Sequence, residues 1–210
     1  VNGWNFVENS NKLGVSKIKI SDDWQIISHG TAAAGLIGAS ANNNKNSAGL
    51  NWKVRIMPLR AIANDGSGSF SDVIEAIDYS VANGVDVINL SLASDVNSSA
   101  LEKSIKHAYN NNVVVVVAAG NNRFINRPEG DLDLFPLFPT CSDRSSAKNT
   151  VLGVTSVDQY YVVSRFANIG SCIDLSAPGE NIYSTLYYEP ASDYNDELVV
   201  LFAATPFSAR

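Results

Sequence analysis

The sequence predicts an α/β protein: a doubly wound, mostly parallel sheet with helices on both faces. Three observations carry that prediction. Helical and strand-like stretches alternate from residue 29 to residue 117. Residues 71–82 and 99–110 place apolar side chains at helical spacing among polar ones. Val113–Val117 is an unbroken valine run, the pattern of a parallel strand covered on both faces. A chain of 210 residues can build one sizeable core but not two comfortably, so a single domain over 1–210 is expected. The net charge of −6 and the lack of any Lys/Arg cluster exclude a nucleic-acid footprint. The longest apolar run, Val113–Ala119, is too short to span a bilayer.

The elements follow in order. Residues 1–28 read as irregular, apart from the alternating stretch Val15–Ile20, and Asp22 and Asp23 read as a solvated loop. Ser28–Gly35 then reads as a helix start. Thr31 is a natural N-cap type, and Ala32, Ala33, Ala34 and Gly35 give a small face able to pack tightly. His29 stands at that helix start, and imidazole is the side chain best suited to moving protons near neutral pH. Standing alone, a histidine there needs no chemistry.

The polar stretch Ala41–Gly49 reads as a surface loop. Its asparagines could coordinate a hard cation, but it holds no carboxylate, so a plain loop is expected. Lys53–Arg60 alternates as a strand does. Asp65–Ser69 must be a loop or an extended edge, and its glycines lack the third member of a dinucleotide fingerprint. After the 71–82 helix come a buried strand over Val85–Leu92, the 99–110 helix with an exposed His107, and the valine strand. That strand runs into Ala118-Ala119-Gly120-Asn121. Function in doubly wound sheets collects at the carboxyl ends of strands, where Ser91 and Asn121 stand, although turn chemistry alone also accounts for both.

The second half is more irregular. Residues 122–140 form a loop, and strands are expected at 150–155, at 173–179 where the strand ends in a turn, and at 181–185. Cys141 and Cys172 admit either one disulfide or a free pair, and they lack zinc-ligand spacing. Solvated loops account for Glu180, Glu189, Asp193 and Asp196.

Taken in register, these pieces resemble the subtilisin family of serine endopeptidases. His29-Gly30-Thr31 with Ala34-Gly35 resembles the family's catalytic-histidine helix. Gly66-Ser67-Gly68 resembles one edge of the substrate cleft, and Asn89-Leu90-Ser91-Leu92, running on to Ala93, resembles the opposite edge. Ala118-Ala119-Gly120-Asn121 resembles the specificity-pocket wall and the oxyanion asparagine. Phe166–Gly170 and Asp174–Gly179 resemble the segments that precede the nucleophile, and Phe138-Pro139 resembles an aromatic-proline pair that is often cis.

The resemblance implies cleavage of polypeptides by a Ser/His/Asp mechanism, with His29 as general base and Asn121 as oxyanion donor. Gly66, Ser67, Gly68, Ser91, Leu92, Ala93, Ala118, Ala119 and Gly120 would bind an extended substrate. It also implies an extracellular location, a propeptide as a partner, no required cofactor, and a structural calcium near Asn43.

Two departures stand out. No aspartate is followed by Ser-Gly or Thr-Gly, the family's acid motif, so the chain is expected to be an incomplete domain beginning downstream of that strand. The nucleophile motif is met by Ala204-Thr205-Pro206-Phe207-Ser208-Ala209-Arg210, with Pro206 where the serine belongs and the chain ending inside the expected helix. Two readings follow: an endopeptidase domain truncated at both ends with an altered nucleophile segment, or a pseudo-protease that binds extended peptides without cutting them. A nucleotide-binding domain finds no phosphate loop at any strand end.

Overall fold

A computed structural model of the chain describes residues 3–14, 16–20, 23–27, 29–44, 47–63, 66–123, 128–185 and 207–208. The chain divides into two compact units, Val1–Asp65 with Asn181–Phe202, and Gly66–Glu180 with Ala203–Arg210.

The first unit holds β1 (Trp4–Asn5), β2 (Ser16–Ile20), β3 (Asp23–Ile27), α1 (His29–Gly38) and β4 (Leu59–Arg60). β1 and β4 pair in parallel, while β2 and β3 form an antiparallel pair with Ser16 opposite Ile27. Residues 1–28 are therefore less irregular than expected, and Asp23 lies in a strand rather than a loop. Asp23-Trp24-Gln25-Ile26 alternates polar and apolar residues just as Lys17–Ile20 does, so the two stretches are matched to pair. Asp22 lies outside the described residues.

The strand expected over 53–60 shrinks to Leu59–Arg60. Pro58, just before it, has no N–H to give a ladder. The strand expected over 181–185 is also missing. There the Ser184 and Thr185 hydroxyls donate to the carbonyls of Ala32 and Thr31, so the segment lies along α1.

In the second unit, the Ser69 hydroxyl accepts from the Asp72 N–H and starts α2 (Phe70–Ala82). After α2 come β5 (Val87–Leu90) and β6 (Leu92–Ala93). The Ser98 hydroxyl accepts from the Leu101 N–H and starts α3 (Ser99–Asn110). Both are serine N-caps, each satisfying a donor that the helix itself leaves open. β7 (Val114–Ala118), β8 (Leu152–Val157) and β9 (Leu175–Pro178) complete a parallel four-stranded sheet in the order β5-β7-β8-β9.

α3 packs along β7, and α2 packs on α3. Leu101, Ile105 and Ala108 of α3 and Val73 and Ile77 of α2 are buried, as are Ile88, Leu90, Val115 and Val117 of the sheet. The valine strand is not covered on both faces. Val115 and Val117 are each 1% exposed, whereas Val114 and its register partner Val87 are 48% and 55% exposed. The run carries the alternation of a strand with one covered face.

The cysteine pair is bridged: Cys141 and Cys172 form a disulfide with a Cα–Cα distance of 5.1 Å. It lies in a buried cluster with Ala119 and Leu132, flanked by Leu137, Phe138 and Ile173. The Phe138–Pro139 bond is cis.

Candidate active site

α1 carries His29 at its first residue, with the imidazole Nε2 shielded from solvent. Thr31 falls inside the helix rather than at its cap. The small face serves the packing expected of it. Ala32 and Gly35 are buried, and a Cβ on Gly35 would collide with Thr185 and Ser184.

In the second unit, Gly66 is buried with φ +82°, Ser67 is exposed and Gly68 half-buried. Asn89 Nδ2 donates to Ser91 Oγ at 2.9 Å, just before β6. Beyond β6, Ser94 and Phe138 exchange backbone hydrogen bonds of 2.8 Å in both directions. β6 pairs in parallel with β10 (Phe207–Ser208), with Phe207 opposite Leu92 and Ser208 opposite Ala93. Phe207 and Ser208 therefore lie in a strand and not in the helix expected after the nucleophile position. The N–H and C=O groups of this two-residue edge are thus taken by one extended segment. Pro206 lies outside the described residues.

The segment after β7 is the most tightly held part of the site. The Thr140 hydroxyl donates to the Ala118 carbonyl at 2.8 Å. The Ala119 N–H donates to the Val154 carbonyl at 2.9 Å. Gly120 adopts φ +92°, a left-handed conformation that glycine takes without cost, and turns the chain. Asn168, fully buried, donates from Nδ2 to the Ala119 carbonyl at 2.9 Å and from its N–H to the Gly120 carbonyl at 3.1 Å. Its Oδ1 accepts from the Asn122 N–H at 2.8 Å. Between these anchors, Asn121 Nδ2 is shielded from solvent and has no hydrogen-bond partner among the described residues. A buried amide N–H₂ left open is costly, and such an atom in a native fold calls for an explanation.

The loop over this region is itself pinned. The Asp133 carboxylate accepts from the Ser171 hydroxyl and N–H and faces Arg144 Nη2 at 3.5 Å. These hydrogen bonds, and then the guanidinium, hold the Asp133 carboxyl below its ordinary pKa.

The expected residues thus fall into two groups. Gly66, Ser67, Gly68, Ser91, Leu92, Ala93, Ala118, Ala119, Gly120 and Asn121 lie in the second unit, where β6 runs beside β7. His29 and Asn43 belong to the first. Asn43 is exposed, with Asn42 and Asn44 on either side at positive φ. Among the described residues no cluster of three His, Cys, Asp or Glu could hold a metal ion. The amide donors of the 42–44 turn, with no carboxylate among them, do not fit a calcium ion. In the sequence, Asn168 stands in a family-like segment without a legible role. Its signal was one amide inside the otherwise apolar or small run Phe166–Gly170.

The model of the subtilase family (peptidase S8) matches residues 6–209. The chain belongs to the subtilase family. It is 36% identical over 186 residues to the thermophilic serine proteinase of Bacillus sp. (strain AK1), covering 89% of this chain and 40% of that one. Thermitase of Thermoactinomyces vulgaris is 34% identical over 194 residues, covering 92% of this chain and 60% of thermitase. The solved structure of a cold-adapted subtilisin-like serine proteinase superposes with a TM-score of 0.67 at 28% identity, covering 89% of this chain and 57% of the other. The chain spans about half the length of the proteins it matches.

Proposed function

We propose that residues 1–210 belong to one subtilase peptidase domain that acts on polypeptides, binding them extended against Gly66–Gly68 and Ser91–Ala93. Asn121 would donate to the carbonyl oxygen as it gains charge, and His29 would serve as general base. The single observation that carries this reading is the shielded, unpartnered Nδ2 of Asn121, seated at the end of β7. A fixed donor with no internal partner suits a charge that exists only during the reaction. The edge at Leu92–Ala93 supports the binding role, because it already takes an extended backbone, Phe207–Ser208. The disulfide supports an oxidising compartment and so the extracellular location. A propeptide would fit the same edges.

A specific observation favours a second reading, a pseudo-protease. Proline at 206, where the family's serine belongs, has no nucleophilic atom. Such a chain would hold peptides without cutting them. The two readings part at one measurement: fluorophosphonate labelling of the complete natural protein, followed by peptide mapping. A label on a serine within 203–210 means a working endopeptidase. No label, with Pro206 confirmed by mass, leaves the peptide-binding pseudo-enzyme.

A further inference from the structure

We propose that Asn168 is the positioning residue that fixes Asn121 as an oxyanion donor. This rests on the reading of Asn121 given above and adds the part that makes the donor rigid.

Gly120 breaks the backbone ladder at the end of β7, because its φ of +92° turns the chain out of the strand. The peptide groups on both sides of Asn121 therefore cannot be satisfied by ordinary strand pairing. Asn168 replaces the missing ladder with its own amide. Its Oδ1 takes the Asn122 N–H, its Nδ2 gives to the Ala119 carbonyl, and its backbone N–H gives to the Gly120 carbonyl. A weaker contact of 3.5 Å runs from Nδ2 to Asn122 Oδ1.

Asn168 is held in turn. The Thr155 hydroxyl donates to its carbonyl at 2.7 Å, and the residue is 0% exposed. A Cβ on Gly120 would lie 2.7 Å from Asn168 Nδ2, so the absence of a side chain at 120 is what lets the brace close. The residues before and after Asn121 are thereby fixed to one rigid point, while Asn121 Nδ2 is left without a hydrogen-bond partner among the described residues. Donors fixed in advance need no reorganisation when charge develops, which is where their effect on a reaction comes from.

The test measures the preference for a developing-anion mimic rather than stability. The probe is acetyl-Ala-Ala-Ala-Phe with a free C-terminal carboxylate, compared with the same peptide as its C-terminal amide. Both are titrated by calorimetry into the whole chain and into Asn121→Ala, Asn168→Ala and Asn168→Leu. Competition from Phe207–Ser208 acts on both peptides alike and cancels in the ratio of their affinities. The wild-type chain should favour the carboxylate by about tenfold, the change a hydrogen bond to a charged group makes. Asn121→Ala should remove that preference.

Both Asn168 variants should remove it too, with affinity for the amide peptide unchanged within about twofold, since the strand edge is untouched. Asn168→Leu keeps much of the volume, adds no charge and loses the side-chain hydrogen bonds, so it carries the test if Asn168→Ala no longer melts cooperatively. An Asn168 variant that keeps the wild-type preference overturns the proposal while leaving Asn121 in its role. Absence of any preference in the wild-type chain, or its survival in Asn121→Ala, overturns the reading of Asn121 itself and the proposal with it.

Discussion

The segment around Asn121 and the segment around position 206 belong to the same unit, and they differ in how much of the family's pattern survives. At the first, the carbonyls of Ala119 and Gly120 and the N–H of Asn122 all end on Asn168, and the Ala118 carbonyl ends on Thr140. At the second, Ala204, Pro206 and Arg210 depart from the family motif, and Phe207–Ser208 pairs with β6 as a strand. The contrast teaches that holding a substrate carbonyl and attacking it are separable. An oxyanion hole with its binding edges, once the triad is removed, still leaves about 10³–10⁴ over water in serine proteases.

The largest expected effect concerns the attacking atom. Hydrolysis of a peptide p-nitroanilide by the chain should lie about 10⁶-fold below that of a complete relative such as thermitase. That figure is the loss on removing the serine or histidine in subtilisin, a family member, and is taken from that case. Turnover within a hundredfold of the relative would mean that another side chain attacks, and the contrast would break.

Next comes the support of the Ala119–Asn121 segment. The Cys141–Cys172 bridge closes a loop with a sequence separation of 31 and shares its buried cluster with Ala119. Replacing both cysteines by serine should cost about 4 kcal/mol, read as a lower urea midpoint. A loss under about 1 kcal/mol would show that hydrogen bonds alone secure the loop. Smaller again, Ser98→Ala removes the cap of α3 and should cost about 1 kcal/mol in the same experiment. An unchanged midpoint would mean that water replaces the cap without loss.

The smallest effect is a titration. Ser171, and secondarily Arg144, hold the Asp133 carboxyl below its ordinary value. The stability this contributes is therefore present above the ordinary carboxylate range and is lost as pH falls through the lowered value. In a carboxyl-carbon NMR titration, Ser171→Ala should move the Asp133 midpoint upward, towards the ordinary value. A midpoint that stays in place would assign the shift to the Ser171 backbone N–H and Arg144 instead.

The parts legible in the sequence are those governed by local chemistry. The helix expected at 99–110 spans those residues, and the one expected at 71–82 begins one residue earlier, at Phe70. Each has a serine cap and an apolar stripe, signals contained within a few residues. The β2–β3 pair was only half legible, because alternation identifies a strand but not its partner. Lys53–Met57 alternates as a strand does and forms none, since a ladder must come from elsewhere in the chain. The glycine-asparagine turn at 120–121 was legible as a motif, whereas its brace was not. Asn168 lies 46 to 49 residues from the groups its side chain binds, and no local pattern encodes that contact. The cysteine pairing had the same difficulty over a separation of 31.

The central claim is that the Asn121 amide stands ready for a negative oxygen. Side-chain amide NMR of the ¹⁵N-asparagine-labelled chain tests it most directly, with the Asn121 signal assigned by its loss in Asn121→Ala. The account predicts that adding acetyl-Ala-Ala-Ala-Phe carboxylate moves that signal downfield to saturation, while the amide form of the peptide leaves it near its starting position. Peptide binding seen elsewhere in the spectrum, with the Asn121 side-chain signal unmoved, would contradict it.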